Sequence, residues 1–323
     1  MTTVQMQTLY SRGDLDVGAS SPPPYFQGET VELRPIASAT SSLSSSSPPV
    51  YEEASSLAAG SGSTGSSGRT FKPTKSLQVE NKGLPLIALP LPPRPYPIEV
   101  YAIGDSGTLS SKVYESVRPT RGSGSCILFR GDPAAGAEPV CTTIYRFGPG
   151  RPPKIRLLGP DSDIDISTLS EDKGELATGE EEFEVLSRGV TTRAVSLRTP
   201  LGIFLWRYAG KAERREFDAD SLVVMDHVTT VALAGGKTEE RYRRVAQLVR
   251  NKEFRTAGSG RSTAGNGGRL MMDLSEWNVD RKGEREQVEG LILAGCICML
   301  KKEMDRRRLH QSIVIAGGGS GGP

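Results

Sequence analysis

Between Val288 and Leu300 the chain carries Leu291, Ile292, Leu293, Ala294, Cys296, Ile297, Cys298, Met299 and Leu300, which fill every face of a helix. From Glu284 to His310 the only glycines are Gly290 and Gly295, and proline is absent, so one helix over 284–310 is predicted. Glu284 and Glu286 near its start, with Lys301, Lys302, Arg306, Arg307 and Arg308 toward its end, suit the helix macrodipole. A surface helix keeps a polar face; this one has none over its middle and must be enclosed by other elements. The unbroken apolar run, Leu291 to Leu300, is about half of the 20 or so residues that cross a bilayer, so no transmembrane segment is expected.

What encloses the helix is written upstream. Eleven short segments rich in β-branched and aromatic residues, bounded by turn signals, lie at 98–103, 112–117, 126–130, 140–147, 154–158, 183–187, 190–198, 202–208, 221–228, 242–250 and 269–274. Phe204, Trp206 and Tyr208, like Leu270, Met272 and Leu274, recur at period two and so share one face of a strand. Leu222 to Met225 is apolar on both faces, which requires cover on both. The expected fold is mainly β: about eleven to twelve strands curled into a closed barrel around the C-terminal helix.

That element order, together with the segment EGLILAGCICMLKKEMDRRR, resembles the tubby C-terminal domain, shared in outline by LURP-one-related proteins and phospholipid scramblases. The segments RGVTTRAVSLRTPLGIFLWRY, RLMMDL and CMLKKEMDRRR are similar to those of uncharacterised fungal proteins of this general type. The resemblance covers about residues 98–310 and implies binding at the barrel surface, in tubby proteins often to phosphoinositides, and no catalysis.

Composition divides the chain. Residues 1–80 hold 17 Ser, 7 Pro and 7 Gly and no apolar run that would build a core, which predicts a disordered tail. Residues 81–97 read as a proline-rich linker, 98–312 as the barrel with its helix, and 313–323 as a glycine-rich disordered tail. Within the linker, Leu91 to Pro95 contains PPRP, either a strap over the barrel or a ligand for a Src-homology-3 or profilin-like groove. The tail's 5 basic and 7 acidic residues, taken from chain totals of 40 and 38, leave 35 and 31 for the rest, a net +4. So mild a balance speaks against nucleic acid as a partner.

The tail carries two P-P-x-Y motifs, Pro22-Pro23-Pro24-Tyr25 and Pro48-Pro49-Val50-Tyr51. Prolines hold polyproline II and fit an aromatic groove, and the tyrosine three residues after the first returns to the same face, the pattern that WW domains bind. Pro22, Pro23, Tyr25, Pro48, Pro49 and Tyr51 are therefore the expected WW contacts. Motifs of this kind resemble those of fungal arrestin-related adaptors, which implies a HECT-type ubiquitin ligase as the WW-domain partner.

Residue sets that would carry other chemistry do not assemble. Gly235 to Thr238 has the tail of a phosphate-binding loop but Val231 where its first glycine belongs. Gly258 to Gly268 is followed by a strand, unlike a dinucleotide site; it reads as a mobile loop or, with Arg255, Arg261, Ser262 and Thr263, as an anion or phosphorylation site. Asp161, Asp163 and Asp165 alternate as in a calcium loop, but Ile166 stands where glycine is required. His227 and His310 lie far apart, and Cys296 and Cys298 leave a helix on nearly opposite sides as small core residues. No catalytic residue, metal site or cofactor is expected. With no secretory signal in Met1 to Ser20 and four cysteines, the expected location is cytoplasmic, peripheral at membranes.

Lys301, Lys302, Arg306, Arg307 and Arg308 have two readings: an exposed basic helix end, or a contact for anionic membrane lipid. The expected role is a non-enzymatic adaptor with a WW-binding tail and a barrel that holds lipid or protein cargo. The alternative is a phosphoinositide or small-lipid binding barrel with a passive tail.

Overall fold

The computed structural model describes residues 71–318 except 89–96, 105, 119–123, 147, 149–150, 159–179, 190–191, 234–235 and 278–282. Both P-P-x-Y motifs, the PPRP segment and Asp161, Asp163 and Asp165 lie outside the described residues.

Among the described residues thirteen strands form one antiparallel sheet that curls into a nearly closed barrel. They are β1 (Lys75–Glu80), β2 (Ile98–Ile103), β3 (Leu109–Val117), β4 (Cys126–Arg130), β5 (Glu138–Ile144), β6 (Lys154–Leu157), β7 (Glu181–Glu184), β8 (Leu186–Ser187), β9 (Val195–Thr199), β10 (Gly202–Tyr208), β11 (Ser221–Ala232), β12 (Thr238–Arg250) and β13 (Gly268–Met272). A short helix α1 (Lys211–Glu216) follows β10, and the long helix α2 (Glu284–Gly318) closes the described chain. Round the sheet the order runs β7-β6-β5-β4-β3-β2-β1-β13-β12-β11-β10-β9-β8.

The two edges of that sheet are consecutive in sequence. Val185 joins β7 to β8; its N–H still bonds Pro153 O at 2.8 Å on the β6 side, while Leu186 already pairs with Ser196 of β9. One extended segment thus bonds to β6 along its first half and to β9 along its second, which closes the seam and removes a free edge.

Each of the eleven predicted segments overlaps a strand, the one at 190–198 only from Val195, and the strand count exceeds the expectation for two reasons. The segment read as 183–187 is split at the seam, and β1 lies inside the stretch expected to be tail. In β1, Leu77 and Val79 are fully buried, and the strand sits between β13 and β2, pairing Leu77 with Leu270 on one side and Ala102 on the other. The barrel therefore begins near residue 75, not 98. The linker is corrected in the same way: Leu84 forms a two-way backbone bridge with Ala264 at 2.8 and 2.9 Å.

Residues 288 to 300 of α2 apart from its two glycines and Glu289 are apolar and almost wholly buried, in one core with inward residues of strands from β1 to β13. Its two interior glycines lie where the wall comes closest. A Cβ on Gly295 would run into Trp206 Nε1 of β10, and one on Gly290 would stand 2.8 Å from Val140 Cγ1 of β5. Helix propensity is given up at both positions for close approach.

Strand β11 also meets the expectation of cover on both faces. Val223 and Met225 point into the barrel core, whereas Leu222 and Val224 lie under an outer cluster with Phe217, just beyond α1, and Phe254. The predicted helix end is corrected: α2 continues past His310 to Gly318, because nothing between Gln311 and Ala316 breaks it. Its last turn contains no basic residue, so the basic cluster does not complement the C-terminal dipole.

Candidate functional site

Two carboxylates fix the helix within the wall. Glu289 accepts from Lys75 Nζ at 2.5 Å and from Tyr114 Oη at 2.8 Å. Fourteen residues on, about 21 Å along the axis, Glu303 accepts both Nη atoms of Arg250 at 2.7 Å, Tyr208 Oη at 2.6 Å and the Gly265 N–H at 2.7 Å. Arg250 and its hydrogen-bonding partners hold the Glu303 carboxyl below its usual range against the opposing effect of burial. A depressed carboxylate contributes stability above its unfolded value, near pH 4.3, and loses it as pH falls through the lower folded value. Glu303→Ala leaves Arg250 buried without its counter-ion and is expected to cost about 3–5 kcal/mol. Urea unfolding checks this, and the Arg250→Met/Glu303→Met pair is expected to recover much of the loss.

Just beyond this anchor α2 leaves the barrel, and the basic residues cluster there. Lys301 and Lys302, read from the sequence as part of an exposed helix end, are 2% and 8% exposed. They face the wall because helical spacing carries the buried face of Ile297 and Cys298 on to 301 and 302. Lys301 Nζ lies 4.7 Å from the centre of the Tyr145 ring and has no hydrogen-bond partner among the described residues. Arg118, buried at the end of β3, faces the same point, and Asp305 supplies the nearby negative charge. Burial lowers the pKa of Lys301, Lys302 and Arg118 alike.

Arg306, Arg307 and Arg308 follow, half-buried. Arg308 pairs with Asp305 at 2.8 Å and Arg307 donates to Ser262 O at 3.1 Å, yet Arg306 Nη1, Arg307 Nη1 and Arg308 Nε keep no partner among the described residues. The arrangement concentrates six cations, counting Arg118, around Asp305, which is itself paired with Arg308, at a single end of the barrel. Neither Arg118 nor Tyr145 was legible as a member of this group, since their strands carry no basic or aromatic pattern that points to it.

A buried ammonium without a partner opposes folding, so Lys301 is a cost that packing alone does not explain. Lys301→Met is expected to stabilise the domain by about 1–3 kcal/mol, less whatever the Tyr145 contact contributes. Its depressed pKa gives the wild type a stability that rises with pH between the folded value and the unfolded one near 10.4; the variant loses that slope. Urea midpoints at neutral and alkaline pH measure both effects.

Other sequence candidates resolve differently. In the glycine-rich loop, Arg255 and Arg261 both pair with Asp220, and Thr263 Oγ1 accepts the Gly260 N–H at 2.9 Å. Gly265 packs against Leu300 O of α2, so this loop forms part of the collar round the emerging helix. Burial pushes the Cys296 thiol up to about 12 and the Cys298 thiol up to about 11, in keeping with core positions. His227 stacks on Phe204 at 5.2 Å and bonds Glu276 at 3.1 Å, while Arg243 bridges Glu276 and Asp273 at 2.6 and 2.9 Å. Among the described residues no group of three or more His, Cys, Asp or Glu could hold a metal ion. No helix among them is long and apolar enough to cross a membrane.

Compared with protein-family models, with curated proteins and with solved structures, the chain matches none.

Proposed function

We propose that the protein is a non-enzymatic adaptor of tubby-like architecture: its barrel docks on an anionic membrane surface through the end from which α2 emerges, and its two P-P-x-Y motifs engage a WW-domain protein. The observation that carries the docking half is the Lys301 ammonium, without a hydrogen-bond partner among the described residues and buried beside Arg118 below the Arg306–Arg308 segment. Cations gathered at a cost in stability are a common mark of a binding surface. The packed helix interior favours a surface ligand over a small lipid held inside the barrel.

Binding of the full chain to phosphatidylserine-containing vesicles is expected to weaken with salt and to exceed binding to neutral ones. At roughly 1 kcal/mol per basic residue, Arg306→Glu/Arg307→Glu/Arg308→Glu is expected to lose about 10²-fold or more. Lys301 and Lys302 stay unchanged in that variant, because their reversal would disturb packing. Equal retention on neutral and anionic vesicles would overturn the docking half. Tyr25→Ala/Tyr51→Ala is expected to abolish capture by WW domains, and the tandem to exceed either motif by about 10²-fold on a two-WW partner. An unchanged pull-down after both substitutions would overturn the adaptor half.

A further inference from the structure

Where α2 outruns the barrel its surface turns apolar. Leu309, Ile313, Val314 and Ile315 are 48%, 60%, 72% and 59% exposed. Beside them Leu86 and Ile87 are 58% and 92% exposed, held there by Gln311 Nε2, which donates to Leu86 O at 3.0 Å, and by the Leu84–Ala264 bridge. At 100° per residue, Leu309 and Ile313 occupy one side of the helix and Val314 and Ile315 two others, so the tip is apolar round most of its girth. About two turns closer to the barrel than Ile313 to Ile315, Arg306, Arg307 and Arg308 are consecutive and therefore fan out round the same axis. A bare apolar end on a folded domain needs a partner, and the charge below it says which kind.

We infer that the emergent end of α2, with Leu86 and Ile87, is a wedge that inserts into the interfacial layer of an anionic bilayer while the arginines below it meet the lipid phosphates. The dimensions agree. Seven residues separate the arginines from Ile313 to Ile315, a rise of about 10 Å, which matches the 5–10 Å to which interfacial apolar faces are buried below the headgroups. Apolar insertion and a basic collar together also supply the two signals that stable surface attachment requires. A membrane is favoured over a protein groove because the apolar residues surround the helix and do not form a single stripe.

This inference rests on the docking half of the proposal above, and its test separates the two. Val314→Trp in the full chain places an emitter at the tip, read against the constant signal of buried Trp206 and Trp277. On phosphatidylserine-containing vesicles its emission is expected to shift to the blue and to be quenched by brominated acyl chains. Ile313→Ser/Val314→Ser/Ile315→Ser is expected to weaken vesicle binding about 10- to 100-fold while leaving the thermal transition and salt sensitivity in place. Vesicle binding that survives the serine substitutions, with no quenching at position 314, would overturn the wedge and leave the basic docking surface standing. A chain that self-associates through this tip, losing its dimer but not its vesicle binding in the serine variant, would overturn it as well, with a second copy as the occupant.

Discussion

Leu293→Asp is expected to unfold the barrel. Its side chain is fully buried, in the stretch of α2 that the strands enclose on all sides. A carboxylate there meets neither water nor an uncommitted cation among the described residues: the anchoring Lys75 and Arg250 are already committed to Glu289 and Glu303. Burying an unpaired carboxylate belongs to the few single changes that cost more than about 4 kcal/mol, against a total of about 5–15 kcal/mol for a domain. The loss is larger than for Leu293→Ala, where a cavity of about 2–5 kcal/mol is the whole penalty. Near-ultraviolet circular dichroism at ambient temperature reads the outcome, with Ile315→Asp as the exposed control that leaves the signal intact.

A chain starting at residue 81 is expected not to fold, whereas one starting at residue 71 is expected to melt as the full chain does. The difference is β1, the strand through which β13, last of the sheet in sequence, meets β2, its second. Without it the ladders of Leu77 to Leu270 and to Ala102 vanish, two fully buried apolar side chains leave the core, and two long strand edges are bared. Lys75 goes with the strand, stripping Glu289 of its ion pair. Thermal melts of the two chains distinguish the cases, and a cooperative transition from the shorter one would mean the sheet tolerates a gap where it is most continuous.

β1 is hidden in the sequence by the composition around it. Its two inward residues, Leu77 and Val79, stand nine and eleven positions after Gly68, the end of a glycine- and serine-rich stretch from Gly60, and composition averaged over 80 residues hides a strand six residues long. The other strands were legible because alternation survives where one face meets a core, and the seam at Val185 was not, since a strand that changes partners keeps its alternation. The interior helix was the clearest signal of all, for a helix apolar on every side admits few neighbours.

The candidate site was legible only as charge. Five basic residues in sequence could not say that Lys301 and Lys302 face inward, because lysine is ordinarily a surface residue. Arg118 joins them through the pairing of β3 and β4, and Glu303 is matched with Arg250 from the end of β12, both from contacts distant in sequence. The tip was read as a glycine-rich tail, although Ile313, Val314 and Ile315 are as apolar as any strand; the helix that carries them on was taken to stop at His310.

Hydrogen exchange along α2, with and without phosphatidylserine-containing vesicles, tests most directly the claim that one helix is both the filling of the barrel and its means of attachment. Amides from 288 to 304 are expected to exchange only through global unfolding in either condition, and those from 309 to 317 to exchange fast in solution and to be protected on the vesicles. Fast exchange across 288–304, or a tip that exchanges equally fast on vesicles and off them, would contradict the account.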